Sequence, residues 1–118
     1  MKQKVSDYIA DHIAEWGIRD VFTVTGGGAM HMNDAFGHHP KLHCTYQHHE
    51  QACAMAAEAY ARMDNRMAAV CVTTGPGATN AITGVLGGWM DSIPMLVFSG
   101  QARYATTVAA SGLKLRSM

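Results

Sequence analysis

The sequence predicts an α/β fold: a doubly wound, mostly parallel sheet with helices on both faces. Two observations lead to this prediction. Short apolar runs rich in β-branched residues alternate along the chain with longer helical segments, which is the order of elements in a parallel sheet with crossover helices. The runs are also apolar on both faces, as strands are when helices cover each side of the sheet. The 118 residues suffice for one such domain and are too few for two.

The first half of the chain predicts two helices and two strands. Apolar residues recur at helical spacing over residues 5–16, and Gly17 suits the end of that helix. Residues 21–24 form a β-branched and aromatic run that is too short for a helix. Three glycines follow, and residues 29–36 then predict a short helix. Residues 42–46 predict the second strand.

The second half continues the alternation. Residues 51–62 form an alanine-rich helical run, and residues 67–73 read as a buried strand. A Gly-Pro-Gly sequence at 75–77 breaks the pattern. Residues 78–90 then predict a helix interrupted by glycines, and residues 95–99 predict a fourth strand.

The composition excludes several classes of function. Nine basic side chains balance nine acidic ones, so nothing indicates nucleic acid or an anionic membrane as a partner. No apolar run approaches the roughly 20 residues that span a bilayer, and Asp7 and Asp11 make the N-terminus unlike a signal peptide. Three cysteines without C-x-x-C spacing (Cys44, Cys53, Cys71) are typical of reduced, buried thiols in a cytoplasmic protein.

Two glycine-containing turns, at residues 25–29 and 73–80, each follow a predicted strand and open a predicted helix. Neither fits the dinucleotide-binding fingerprint, because His31 and Asn80 stand where the third glycine is required. A Walker A sequence is also absent. Glycine serves both tight turns and close approach of a ligand, and the glycines alone leave both interpretations open.

The seven histidines raise the question of a metal site. Residues 49–53 begin like the helix of a zinc protease, but Cys53 stands where that motif needs a second histidine. The adjacent pairs at 38–39 and 48–49 point apart on either a helix or a strand. We therefore predict no metal site on this chain, and we interpret the histidines as surface or hydrogen-bonded residues.

Glu50 lies at the joint between the second strand and the alanine-rich helix. One interpretation is a carboxylate at a helix N-terminus, which the helix dipole keeps ionised. The other is a proton donor or acceptor, whose pKa is raised by burial beside a ligand nitrogen. The two effects oppose each other, and the residues alone leave both open.

Four motifs, in order, resemble those of the N-terminal pyrimidine-binding domain of thiamine diphosphate-dependent enzymes, and most of all the acetolactate synthase group. The motifs are Val-Thr-Gly-Gly-Gly-Ala at 24–29, His-Glu-Gln-Ala at 49–52, Thr-Gly-Pro-Gly-Ala-Thr-Asn at 74–80, and Asp-Ser-Ile-Pro at 91–94 with Ser-Gly-Gln at 99–101. The resemblance implies that residues 1–118 are part of a pyrimidine-binding domain, and that the central and diphosphate-binding domains are absent from this chain. Residues 102–118 show no clear period, so we expect a truncated chain.

The resemblance also implies roles for the matching residues. Glu50 would hydrogen-bond N1′ of the aminopyrimidine and promote its imino tautomer, and Gln101 would lie near the reacting carbon. The other implied cofactor-binding residues are Gly27 and Gly28 on the substrate side, His49 as a polar neighbour, and Gly75, Pro76 and Asn80 along the pyrimidine ring. The group usually has a Tyr-Pro-Gly-Gly-type turn where this chain has Thr-Gly-Gly-Gly at 25–28, so the resemblance leaves the choice of substrate open.

The implied function is that of a lyase or carboligase (a transferase) that decarboxylates a 2-keto acid such as pyruvate, with thiamine diphosphate as cofactor. The magnesium ion would be held by a Gly-Asp-Gly motif on a domain absent from this chain, which alone would be inactive. The resemblance is also compatible with FAD, which some acetolactate synthases bind, but no residue of this chain indicates it. We expect a homodimer or larger homo-oligomer, in which the small residues of 52–59 permit close approach. The alternative is a split subunit or non-catalytic module that forms the site only with a partner chain.

Overall fold

The computed structural model describes residues 2–107, and four helices and four strands lie within them. The prediction made for residues 108–118 lies outside the described residues. The helices are α1 (Val5–Glu15), α2 (Met30–His38), α3 (Glu50–Asp64) and α4 (Pro76–Met90). The strands are β1 (Asp20–Thr23), β2 (His43–Tyr46), β3 (Ala68–Val72) and β4 (Met95–Ser99). Short 3₁₀ turns occur at Gly27–Ala29 and Tyr104–Thr106.

All eight predicted elements are confirmed, and their boundaries shift for local physical reasons. α4 begins at Pro76 and not at residue 78, because the fixed φ and missing N–H of proline suit the first helical position. Gly17 follows Trp16, the cap residue of α1, and has a φ of 86°, as predicted for a helix end. α3 ends at Asp64, and its cap residue Asn65 has a left-handed φ of 51°; no pattern in the sequence predicted this cap.

The four strands are parallel, in the order β2-β1-β3-β4, which confirms the predicted fold class. The apolar residues form two clusters, one on each face. Along β3, Ala69 and Cys71 pack in the cluster with α1 and α2, whereas Ala68, Val70 and Val72 pack in the cluster with α3 and α4. Successive side chains of a strand point to opposite faces, so β3 is buried along its whole length.

The order of the strands places a switch point between β1 and β3. The chain runs from β1 through α2 out to β2, and it returns through α3 on the other face to β3. A crevice therefore opens beyond the carboxyl ends of β1 and β3, and ligands of open α/β sheets bind in such crevices. The loops at residues 24–28 and 73–77, which follow β1 and β3, border this crevice.

The small residues of α3 serve a contact inside the chain. Ala54 and Ala57 are fully buried in the cluster with α4 and β3. The expectation that all small residues of 52–59 lie at a subunit interface is therefore wrong for these two, because they face the interior. Separately, no helix within residues 2–107 combines the length and the apolar character that crossing a membrane requires.

Candidate functional site

The two loops at the switch point pack tightly because glycines face threonines. A Cβ added to Gly26 would lie 2.5 Å from Cβ of Thr73, and one added to Gly28 would lie 2.8 Å from Cγ2 of Thr74. The Gly28 N–H donates a hydrogen bond of 3.1 Å to Oγ1 of Thr73. These two glycines therefore permit the close approach of one loop to the other.

The other glycines of the two motifs have different roles. A Cβ added to Gly27 would meet nothing within 4 Å, so this residue borders open space. Gly75 has a φ of 62° and precedes the first residue of α4. Such a positive φ favours glycine, so Gly75 belongs to the tight turn that starts α4.

Glu50 is the first residue of α3, and its side chain meets Asn80 of α4. Nδ2 of Asn80 donates a hydrogen bond of 3.0 Å to Oε2 of Glu50. His49 caps α3, since its Nδ1 accepts the N–H of Gln51 at 3.1 Å, and a nitrogen that accepts in this way carries no proton. Two predicted site residues that are 30 positions apart are thus joined where α3 and α4 begin.

In this chain the pKa of the Glu50 carboxyl lies below its ordinary value. The hydrogen bond from Asn80 lowers the pKa most, the N–H of Glu50 itself adds to the effect, and the limited burial opposes it. Glu50 is therefore ionised at neutral pH, as the interpretation of a helix N-terminal carboxylate requires. A raised pKa would need additional burial of this carboxylate.

We expect the Asn80→Ala substitution to raise the pKa of Glu50 towards its ordinary value, because the hydrogen bond that most favours the ionised form is lost. The check is an NMR titration of the ¹³C-labelled carboxyl group of Glu50 between about pH 2 and pH 7, a window that brackets ordinary carboxyl pKa values. Thr79→Ala is the matched control, since the Thr79 hydroxyl bonds to the carbonyl of Pro76 and not to Glu50. Equal pKa values in the Asn80→Ala and parent chains would contradict this account of Glu50.

The same depressed pKa sets the direction of a pH effect on folding. The stabilisation that the ionised Glu50 gains from Asn80 is present above the unfolded-state pKa, and it is lost as the pH falls through the lower folded-state pKa. The Asn80→Ala chain should lack this part of the acid sensitivity.

Gln101 contacts the glycine loop at residues 24–28. Its N–H donates to the carbonyl of Gly28 at 3.2 Å, and the Gly100 N–H donates to the carbonyl of Val72 at 2.8 Å. The first bond holds the segment after β4 against the glycine loop at residues 24–28, and the second holds it against the end of β3. A cleft of about 430 Å³ opens there. It is lined by residues 27–32, Thr74 and residues 101–103.

The predicted site residues therefore form two neighbouring groups. Glu50, Asn80 and the start of α4 make one group, and Gly27, Gly28 and Gln101 make the other. Thr73 lies between them: it bonds to Gly28 on one side, and on the other side a Cβ added to Gly77 would lie 2.7 Å from Cγ2 of Thr73 and 3.5 Å from Oε1 of Glu50. The catalytic or binding role of each residue stays a prediction.

Sequence reasoning missed four residues of this region: Thr73, Gly77, His31 and Arg103. Thr73 follows directly after a buried strand at the switch point, and a polar residue at such a position was a usable signal. Gly77 gave no signal beyond its turn, because its closeness to Glu50 depends on how α3 and α4 pack. Arg103 and His31 come together only through the position of β4.

Comparisons with known proteins agree with this arrangement. The family model for the thiamine pyrophosphate enzyme N-terminal TPP-binding domain matches residues 3–114. The acetolactate synthase large subunit of Lactococcus lactis subsp. lactis (strain IL1403) is 36% identical over 96 residues, which are 81% of this chain and 17% of that protein. Acetolactate synthase 2, chloroplastic, of Zea mays is 37% identical over 99 residues, 84% of this chain and 16% of that protein. The acetolactate synthase large subunit of Buchnera aphidicola subsp. Schizaphis graminum (strain Sg) is 45% identical over 85 residues, 72% of this chain and 15% of that protein. The chain thus spans 15–17% of the length of these curated relatives.

Proposed function

This chain belongs to the family of thiamine pyrophosphate enzymes, as their N-terminal TPP-binding domain, and from that premise we propose that it supplies one half of a thiamine diphosphate site in a larger enzyme. The enzyme would decarboxylate a 2-keto acid such as pyruvate and pass the product to an acceptor, as a lyase or transferase of the acetolactate synthase type. The observation that carries this proposal is the Glu50–Asn80 pair at the switch point of the sheet.

The residues of this pair fit the aminopyrimidine part of the cofactor. The Glu50 carboxylate can accept a hydrogen bond from a ring nitrogen, and the Asn80 amide carries both a donor and an acceptor. Gly77 keeps the space beside Oε1 of Glu50 free of a side chain. Gly75 and Pro76 would border the same ring, and His49 would remain a polar neighbour.

When bound, thiamine diphosphate supplies the electron sink for the carbanion that decarboxylation leaves. Glu50 would share a proton with N1′ of the pyrimidine ring. Covering by the rest of the protein would remove water from the Glu50 carboxylate and raise its pKa from the low value of the present chain, which brings proton exchange closer to neutral pH. Asn80 would hold the carboxylate in position, and Gln101 would face the reacting carbon.

The remaining parts of the site would come from outside this chain. We propose that the diphosphate and magnesium bind to another domain, either in a second copy of the full-length protein or in a partner chain, in a cytoplasmic enzyme. Exposed apolar side chains on α4, including Ile82, Leu86 and Trp89, support assembly with further protein surface, because large exposed apolar patches mark interfaces.

The test uses the full-length protein from its source cell. We expect it to consume pyruvate and release carbon dioxide when thiamine diphosphate and magnesium are both supplied, and to lose this activity when the cofactor is removed by dialysis. Binding is measured separately, by the change in tryptophan fluorescence on titration with thiamine diphosphate. A full-length protein that does not bind thiamine diphosphate would refute the proposal, whatever other activity it shows.

A further inference from the structure

We propose that Arg103 binds the carboxylate of the 2-keto acid substrate, in the cleft between the first glycine loop and the end of β4. The inference extends the proposed function, on which it rests, by assigning a residue to the recognition of substrate charge.

The cleft has the charge of a site for an anion. Arg103 and His31 both line it, and none of its ten lining residues is an aspartate or a glutamate. Gln101 adds an amide that can donate hydrogen bonds. Arginine suits a carboxylate because its planar guanidinium can donate two parallel hydrogen bonds to the two oxygens.

The Arg103 side chain has no competing partner within residues 2–107. It is exposed, and no hydrogen bond or ion pair of its guanidinium occurs there. Arg62 and Arg66 differ in this respect, because Arg62 pairs with Glu58 and Asp91, and Arg66 pairs with Asp64. A ligand carboxylate would thus not have to displace an acidic side chain from Arg103.

The cleft also adjoins the group formed by Glu50, Asn80 and the start of α4. Gly28 and Thr74 form part of its wall, and the neighbouring Thr73 joins Gly28 to the side of the loop where Gly77 and Glu50 lie. A small 2-keto acid placed here would have its carboxylate towards Arg103 and its carbonyl carbon towards Gln101 and Thr74. Thr74 belongs to the loop at residues 73–77, whose Gly77 lies beside Glu50. The position of Arg103 therefore suits orientation of the substrate.

Arg19 provides a matched control for the charge. It is also exposed and makes no ion pair within the described part of the chain. It precedes β1, however, and so lies at the amino end of the parallel sheet, opposite the cleft. Neutralising Arg19 changes the net charge by the same amount as neutralising Arg103 does.

The experiment measures the binding of oxamate, an unreactive analogue of pyruvate with the same carboxylate, by calorimetry on the full-length protein with and without thiamine diphosphate. We expect Arg103→Gln to weaken oxamate binding by about tenfold or more, as loss of a charge-assisted bidentate contact does. Arg103→Lys should have a smaller effect, because it keeps the charge but not the paired geometry. Arg19→Gln should bind oxamate within about twofold of the parent, since exposed charges more than about 10 Å away are screened.

The outcomes separate this inference from the proposed function. Equal oxamate affinity in the parent, Arg103→Gln and Arg19→Gln proteins would overturn the inference, and so would a parent that does not bind oxamate. If Arg103→Gln weakened thiamine diphosphate binding and left oxamate binding unchanged, the anion recognised would be the cofactor diphosphate and the inference would be wrong. Failure of the parent to bind thiamine diphosphate would instead remove the proposed function.

Discussion

Replacing Glu50 with glutamine in the full-length protein is expected to lower turnover at least about a hundredfold, the usual contribution of a positioned acid–base group. The amide is close in size to the carboxylate and can still meet the Asn80 side chain, but it cannot take up a proton from a ring nitrogen. The effect should fall on kcat, because the change removes proton exchange and leaves the space of the site almost unaltered. Steady-state pyruvate consumption at saturating thiamine diphosphate and magnesium measures it.

Glu58→Gln is the control for this substitution. Glu58 lies two turns further along α3 and pairs with Arg62 at 2.7 Å, so the same chemical change there removes an ion pair away from the switch point. An ion pair at this partly exposed position contributes at most about 1 kcal/mol to stability, and turnover should stay close to that of the parent. If Glu50→Gln kept near-normal turnover while still binding thiamine diphosphate, the proton-sharing role of Glu50 would be wrong.

The pH dependence of kcat provides a second test of the role of Glu50. In this chain the pKa of Glu50 is low because Asn80 bonds to an otherwise accessible carboxylate. Covering by another domain would oppose this effect through desolvation. The acidic limb of the kcat profile of the full-length enzyme should therefore lie at a higher pH than the titration of Glu50 in the 118-residue chain.

The elements and the fold class could be predicted from the sequence because each depends on local pattern. β3 is an uninterrupted apolar run, and a strand buried on both faces requires such a run. The start of α4 was misplaced by two residues because Gly-Pro-Gly reads as a break, although proline is well suited to open a helix.

The site was less accessible to sequence reasoning, because its contacts join residues that are far apart in the chain. Nothing local to Glu50 indicates that Asn80 lies within hydrogen-bonding distance. The family resemblance places both residues at the same pyrimidine ring but does not pair them with each other. The sequence also does not determine the direction of the Glu50 pKa shift, since the shift depends on how much water reaches the carboxylate. In the structure of this chain the bond from Asn80 lowers the pKa of Glu50 most, and the carboxylate is only partly buried, so Glu50 is ionised.

Gly84→Ala is expected to destabilise the 118-residue chain by about 2 kcal/mol, the middle of the range for overpacked contacts. A Cβ at Gly84 would lie 2.6 Å from Cβ of Ala54, 2.9 Å from N of Met55 and 3.1 Å from O of Gln51. Two of these three atoms belong to the backbone, so α3 and α4 must move apart to admit the methyl group. Urea unfolding followed by circular dichroism measures the change in the free energy of unfolding.

Gly87→Ala separates this contact from the general effect of alanine in a helix. The new methyl group would meet only the end of the Glu58 side chain, at 3.2 Å, which can rotate away. Alanine is favoured over glycine inside a helix by up to about 1 kcal/mol, so this chain should be as stable as the parent or more stable. The same substitution, three residues apart on one helix, is thus expected to destabilise the chain at Gly84 and not at Gly87. Equal stability of the two variants would contradict the close packing of α3 against α4.

The Gly84 contact also bears on the candidate site, because the two helices that it joins carry Glu50 and Asn80 at their starts. Gln51, whose carbonyl a Cβ at Gly84 would approach, follows Glu50 directly, and Gly84 lies one turn beyond Asn80. Separating α3 from α4 should lengthen the hydrogen bond between Asn80 and Glu50. We therefore expect Gly84→Ala, but not Gly87→Ala, to raise the pKa of Glu50 in the same NMR titration. A Gly84→Ala chain that is destabilised but keeps the low pKa of Glu50 would show that the pair is positioned by its own loops and not by the packing of the two helices.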